Sequence, residues 1–334
     1  MPRYRHDLTE FVDFLRDWLA GYNLGEPGRY TRHLRRDGYD SGEPDAYGCA
    51  DAANILAMLG ELPYDPEARA AWVRNLQSFQ QPDGVFVNAS HSRYHTTAHV
   101  TAALELFDAR PVHRLAFLAE LADHDRLRRF LDELDWDRPW PASHDAAGAA
   151  SALAITGEVG PDWFAAYFDW FDAEVDPATG LWRRDRMLPA DEWPGFFANL
   201  GGSFHYHFVY DYLRQPWPAV DRLIDSCLIL LYESAGRFAL DTVGFAEIDL
   251  IFCLSRARRQ TAYRFDEVGT ALDVLLERVV AKLTDDDYRS SAAFDDVHST
   301  FGAVCALAEL QRALPGSIMT PTPLRLVLDR RPFI

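Results

Sequence analysis

Two kinds of helical segment alternate along this chain, and that alternation constrains the fold more than any single motif. One kind is amphipathic and charged, at about 7–20, 66–80, 124–135, 162–173, 217–232 and 267–283. In the first of these, Leu8, Phe11, Val12, Leu15 and Leu19 form an apolar stripe, with Asp7, Glu10, Asp13 and Arg16 outside it. The other kind consists of small and apolar residues, at about 46–60, 94–107, 144–156, 202–213, 242–256 and 297–312. "GCADAANILAMLG" and "FGAVCALAELQRAL" are examples. A helix that is apolar nearly all round is buried on most sides. Long strand-like alternation is scarce.

Six segments of each kind make an internal repeat of an outer amphipathic helix, a Gly- or Pro-bearing loop and an inner small-residue helix. The expected fold is therefore all-α, an (α/α)6 toroid of six helical hairpins forming one domain over residues 1–313. Closure accounts for the lack of a polar capping repeat at either end. An open superhelix of helical hairpins is the alternative. The segment 111–122 reads as an extra helix in the third repeat. Residues 314–334, with Pro315, Pro321, Pro323 and Pro332, read as an ordered tail packed on the outside.

Nearly half of the 334 residues are apolar and 13% are aromatic, which suits a large core. The formal charge of -18 argues against nucleic acid and against an anionic membrane surface, since both need a basic face. Cys49, Cys227, Cys253 and Cys305 sit in small or apolar stretches without a CxxC pair, and read as buried free thiols. "MPRYRHDLTEFVDFL" lacks the apolar core of a signal peptide, and no apolar run reaches membrane-spanning length. A cytoplasmic protein with a small-molecule substrate is expected; nothing in the sequence specifies an oligomeric state.

The loop after the second amphipathic segment reads Gln80-x-x-Asp83-Gly84-x-Phe86. Asp-Gly supplies a tight turn, Gln80 offers hydrogen bonds to the next helix start, and Phe86 can seal the junction between hairpins. Looser echoes stand at Asp176–Trp182, at Ser234–Phe238 and at Asp37-Gly38-Tyr39. This pattern resembles the QxxDGxF/W repeat of the terpenoid cyclase and protein prenyltransferase toroid superfamily. Related turns also occur in glycan-processing (α/α)6 enzymes.

Polar residues gather where the loops lead into the inner helices: Asp45, Tyr47 and Asp51; Tyr94, His95 and His99; His144 and Asp145; His205, Tyr206 and His207; Asp241, Glu247 and Asp249; Asp295, Asp296 and His298. Capping of free N–H groups accounts for some of them, with Ser143, Asp241 and Asp295 or Asp296 the expected caps. Histidine is a poor cap. His95, His144, His205, His207 and His298 at the starts of different inner helices would converge in a closed ring, giving a cavity with groups of tunable pKa.

"GFAEIDLIFCLSR" sets two carboxylates in an apolar helix, where burial raises a carboxyl's pKa and makes it a strong general acid. The resemblance implies proton donation by the middle Asp of a DxDD motif. Asp249 occupies that middle position, Glu247 stands for the first acid, and Leu250 departs from the last. The expected catalytic residues are thus Asp249 as donor with Glu247 as its partner, and His95, His205, His298 and Asp296 as orienting or accepting groups. Tyr94, His144, Tyr206, Trp182 and Asp51 are the expected substrate-binding residues. Trp136, Trp140, Trp182, Trp193 and Trp217 in loop-like stretches either seal hairpins or line a mouth. Arg183, Arg184 and Arg186 lie in the longest irregular insertion, a lid, an anion clamp or a solvated charged loop. The prenyltransferase resemblance would imply zinc on Asp, Cys and His, but no Asp-x-Cys pair precedes His95, and no resident cofactor is expected. Asp296 and His298 with His95 or His205 make up the divalent-metal alternative, which spacing does not establish.

The resemblance implies a terpenoid-cyclase-like cyclase, isomerase or lyase acting on a small or isoprenoid-like molecule. A carbohydrate-active enzyme (uronyl hydrolase, polysaccharide lyase or sugar epimerase) and a non-catalytic binding toroid are the alternatives. Fold does not decide among them.

Overall fold

The computed structural model describes residues 4–189, 195–232 and 243–334. The Ser234–Phe238 echo, Asp241 and Trp193 lie outside the described residues. The fold is all-α. Its only strands among the described residues are a two-residue parallel pair, β1 (His6–Asp7) with β2 (Ile318–Met319).

The charged segments form α1 (Thr9–Ala20), α3 (Pro66–Ser78), α5 (His124–Asp132), α7 (Pro161–Glu174), α9 (Val220–Tyr232) and α11 (Phe265–Leu283). The small-residue segments form α2 (Ala46–Leu59), α4 (Arg93–Glu105), α6 (Pro139–Thr156), α8 (Gly195–Tyr212), α10 (Phe245–Ala257) and α13 (Val297–Ala313). A short α12 (Asp286–Ser290) precedes α13. The segment expected as an extra helix holds a 3-10 stretch, Ala116–Ala122. Nearly every residue of α2, α4, α10 and α13 is buried, whereas α1 buries only its stripe of Phe11, Val12, Leu15 and Leu19.

The small-residue helices pack on one another in sequence: α2 on α4, α4 on α6, α6 on α8, α8 on α10 and α10 on α13. The succession returns to its start, because α13 packs on α2. The amphipathic helices lie against this set, α3 on α2 and α4, α9 on α8 and α10, and α11 on α10 and α13. Small residues permit the close approach. A Cβ on Gly202 would stand 2.7 Å from the Pro139 carbonyl oxygen at the start of α6. One on Gly148 would stand 2.8 Å from Tyr94 at the start of α4. Among the described residues no helix is long and apolar enough to cross a membrane. All four cysteines are buried and free.

The loop motif works differently from its expected role in one respect. Gln80 does not cap the next helix. Its Nε2 donates to the Gly84 and His113 carbonyls (3.1 and 2.9 Å), and its Oε1 accepts from the His113 N–H (2.9 Å). It thus clamps its own turn to the following connection, and Ser92 caps α4 by accepting from the His95 N–H. Gly84 is at φ 92°. The Phe86 N–H donates to Thr97 Oγ1 of α4 at 3.0 Å. The same device recurs at Gly180 and Trp182, whose N–H donates to Ser203 Oγ at 3.0 Å. In the first hairpin it falls at Gly28 and Tyr30, whose N–H meets Cys49 Sγ at 3.3 Å. The echo expected at Asp37-Gly38-Tyr39 is therefore displaced: Tyr39 instead bonds the Arg32 N–H through its hydroxyl.

The tail is not confined to the outside. From β2 it passes Met58, whose carbonyl accepts the Arg325 N–H at 2.9 Å. Arg331 then bonds Asn54, and Ser151 Oγ donates to the Pro332 carbonyl at 2.7 Å. Arg331, Phe333 and Ile334 are buried. The apolar end of the tail gains burial among the inner helices, where Ala and Gly side chains leave room.

Candidate functional site

The starts of the inner helices enclose a cavity of about 80 Å3. His91, His95, Trp140, His144, Phe204, His205, Phe245, Asp249, His298 and Ile334 line it. His95, Trp140, His144, Phe245, Asp249 and His298 come from the first two turns of α4, α6, α10 and α13, Phe204 and His205 from the middle of α8, His91 from just before α4 and Ile334 from the tail.

The imidazoles touch one another. Ring centroids lie 4.4 Å apart for His95 and His144, 5.0 Å for His144 and His205, and 4.7 Å for His91 and His95. Tyr47 binds His95 Nδ1 through its hydroxyl at 2.5 Å. His205 Nδ1 lies 2.8 Å from the Gly201 carbonyl and 3.1 Å from Ser143 Oγ. A carbonyl only accepts, so His205 Nδ1 carries the proton and Nε2 keeps its lone pair. Burial, reinforced by the neighbouring imidazoles, holds His95 and His144 well below the ordinary histidine range. Burial pushes His205 down to about 4 and His91 to about 3. His91, His95, His144 and His205 thus present neutral imidazoles to the cavity at neutral pH.

Beside it lies a second polar cluster. His99 Nε2 and His298 Nδ1 both meet Asp51 Oδ1, at 2.8 and 3.1 Å, with all three residues buried. Burial pushes the Asp51 carboxyl up, yet His298 and His99 outweigh it and hold Asp51 well below the usual carboxylate range. Asp51 therefore fixes the orientation of His298, which reaches the cavity. Arg32 forms an ion pair with Asp296 at 2.8 Å close by.

Asp249 is the sole carboxylate lining the cavity among the described residues. It is 1% exposed, and its Oδ2 has no hydrogen-bond partner. Burial first, and then the nearby Glu247, push its carboxyl well above the ordinary range. Glu247 does not face the cavity. Its Oε2 accepts the Gly244 N–H at 2.7 Å, closing the first turn of α10, and burial pushes it up to about 7.

The expected residues thus divide. The structure brings His95, His144, His205, His298 and Asp249 together around one cavity, with Asp51 behind His298. It does not bring Tyr94, Tyr206, Trp182, Asp296 or Glu247 to it. Tyr94 packs on Phe117 and Phe130. Tyr206 packs on Phe171 and Trp182, and Trp182 is the loop aromatic that seals its hairpin, its indole N–H on the Phe171 carbonyl. Asp296 caps α13 by accepting the His298 N–H. Ser143 is no cap, because α6 begins a turn earlier at Pro139, a residue preorganised for the first helical position. His207 stacks on Trp217 at 4.0 Å instead of joining the other histidines. Trp140 alone of the described loop-like tryptophans lines the cavity, while Trp136 stacks on Trp170. Arg183 pairs with Glu174 as a half-buried contact over Trp170, whereas Arg186 pairs with Asp137 in an exposed one. His91 was missed, although its place just before the Ser92 cap and four residues before His95 aligns the two rings.

No family model matches the chain, and no curated protein or solved structure matches it.

Proposed function

We propose that the twelve packed helices form an (α/α)6 toroid of the terpenoid cyclase and protein prenyltransferase kind, and that its central cavity is the active site of an isomerase-type enzyme acting on a small organic molecule by proton transfer. The observation that carries this reading is Asp249: a buried carboxyl, raised in pKa and unpartnered at Oδ2, facing a cavity lined with imidazoles. The returning succession of inner helices supports the toroid.

In this reading Asp249 gives its proton to a carbon or oxygen of the substrate. His298, held by Asp51 as a general base is held in a triad, takes a proton from a neighbouring carbon. The substrate is isomerised with no net gain or loss of atoms, and solvent returns the proton from His298 to Asp249. Cavity size bears on the substrate. About 80 Å3 accommodates a few heavy atoms, whereas sites for drug-sized ligands run to roughly 300–1,000 Å3. A small molecule is favoured over an isoprenoid chain. Glycoside hydrolysis calls for two facing carboxyls, and Glu247 is engaged at the start of α10, so the carbohydrate reading has less support.

Proton transfer in D2O carries deuterium into the substrate. The purified chain, incubated with a panel of small carbonyl and alkene compounds, is expected to wash deuterium into at least one, followed by proton NMR. Asp249→Asn should slow that exchange by about 100-fold or more. Exchange at the wild-type rate in Asp249→Asn overturns the assignment.

A further inference from the structure

We infer that His95, His144 and His205 are a binding site for one divalent transition-metal ion, held by three imidazoles with a further coordination position open to the cavity. The three side chains come from the consecutive helices α4, α6 and α8, and one nitrogen of each lies within 4.8 Å of the others.

Three observations point to a cation. Each ring presents a nitrogen that the protein leaves free. His205 donates through Nδ1 to the Gly201 carbonyl, which leaves the Nε2 lone pair for a ligand. His95 is held at Nδ1 by the Tyr47 hydroxyl, and His144 makes no hydrogen bond among the described residues. Metal-ligating imidazoles are characteristically anchored in this way through the other nitrogen. Second, these rings stand against one another without hydrogen bonds between them, and all three border the cavity, where a ligand can reach them. Third, the adjoining space suits the occupant: about 80 Å3 holds an ion with one or two waters, at roughly 30 Å3 per water.

The donor set selects the class of ion. Three neutral nitrogens, with no thiolate and no carboxylate among them, suit Zn2+, Co2+, Ni2+ or Cu2+, and not Mg2+ or Ca2+. Donors bound at about 2.0–2.1 Å on a tetrahedral ion stand roughly 3.4 Å apart, so the set must draw in from its present spread. His144, half-exposed and unbonded, is the ring free to turn inward. Three protein ligands with an open position are the pattern of catalytic rather than structural zinc. The cluster of Asp51, His99 and His298 also gathers three donors, but His99 Nε2 and His298 Nδ1 already meet Asp51 Oδ1 at 2.8 and 3.1 Å, which leaves Asp51 Oδ2 and His99 Nδ1 as its buried atoms without a hydrogen bond.

The test uses the full chain, stripped with a chelator and titrated with Zn2+ alone by calorimetry and with Co2+ alone by visible absorption. One equivalent is expected, with the d–d bands of four- or five-coordinate Co2+. His144→Ala and His205→Ala should each weaken Zn2+ binding by about 100-fold or more, while Tyr47→Phe, which removes only an anchor, should cost about 10–100-fold. Zn2+ should raise the melting temperature of the wild type and not that of His144→Ala, whose circular dichroism reports whether it folds. Asp249→Asn should retain one equivalent, so loss of the proton-transfer reading and loss of the metal site are distinguishable. A wild-type isotherm in folded His144→Ala overturns the inference. So does loss of the equivalent in His99→Gln with retention in His144→Ala, which would move the ion to the Asp51 cluster.

Discussion

Replacing Glu247 by Gln tests how deeply the start of α10 is desolvated. Glu247 is 3% exposed, and burial raises its carboxyl from an ordinary 4.5 to about 7. The sign follows from which state holds the proton. Below pH 4.5 the folded and unfolded chains both carry it, and the residue has no pH-dependent effect. Between 4.5 and about 7 the unfolded chain ionises while the folded chain keeps the proton, so stability falls as pH rises. Above about 7 both are ionised and the loss is complete. The gap between 4.5 and about 7, at about 1.36 kcal/mol per pH unit, amounts to about 3 kcal/mol. Gln cannot ionise, yet its Oε1 still accepts the Gly244 N–H, so the turn is retained. The assay is urea unfolding of wild type and Glu247→Gln from about pH 4.5 to about pH 8, read as the difference in unfolding free energy at each pH. Contributions from the buried histidines are common to both proteins and cancel; relief of the repulsion on Asp249 is included in the difference. The variant should gain about 3 kcal/mol relative to wild type across that range. A difference that stays constant with pH refutes the reasoning, because the carboxylate would then be as well solvated in the fold as in the unfolded chain.

Two further substitutions probe the scaffold. Gly84→Ala combines a positive φ with a Cβ placed 2.1 Å from the Arg114 carbonyl oxygen, and should cost about 4 kcal/mol or more in urea unfolding. Gly157→Ala shares the positive φ but meets nothing within 4 Å, and should cost only about 1–2 kcal/mol; equal losses would mean that the turn conformation alone matters. Phe333→Ala empties a fully buried position against His95 and His205, with an expected loss of about 3–5 kcal/mol; a loss under about 1 kcal/mol would mean that the tail does not hold this place in solution.

Periodicity made the helices legible, because a segment of small and apolar residues all round has nowhere to go but the interior, and every one of the twelve expected segments forms a helix, with α6 and α8 starting at Pro139 and Gly195, well before the expected 144 and 202. Convergence of His95, His144, His205 and His298 was legible for the same reason: each stands near the start of a small-residue segment, although α6 and α8 extend further toward the N-terminus. The misplaced residues were those whose function is decided by a partner far along the chain. Trp182 in a loop could face a mouth or a seam, and only the Phe171 carbonyl and Ser203 decide for the seam. Asp296 could be a ligand or a cap, and the spacing to His298 fits both. The tail's path depends on the space left by six helices together, which no local pattern encodes.

The repeat itself explains why the site has two polar clusters side by side. In three hairpins a loop aromatic donates its N–H to a small side chain on the inner helix: Tyr30 to Cys49, Phe86 to Thr97, Trp182 to Ser203. That acceptor must face the loop. A residue two further along an α-helix points about 200° away, nearly opposite. Those residues are Asp51 and His99, which share one cluster, and His205, which belongs to the other. The contact that closes a hairpin on its loop side therefore aims a side chain inward at a fixed depth. Substitution of the acceptor disturbs the hairpin, whereas substitution two residues on changes the chemistry of the cavity and leaves the hairpin closed. Fold and site are thus written at alternate positions of the same helical turn, and the Gly-x-aromatic signal that marks the first also locates the second.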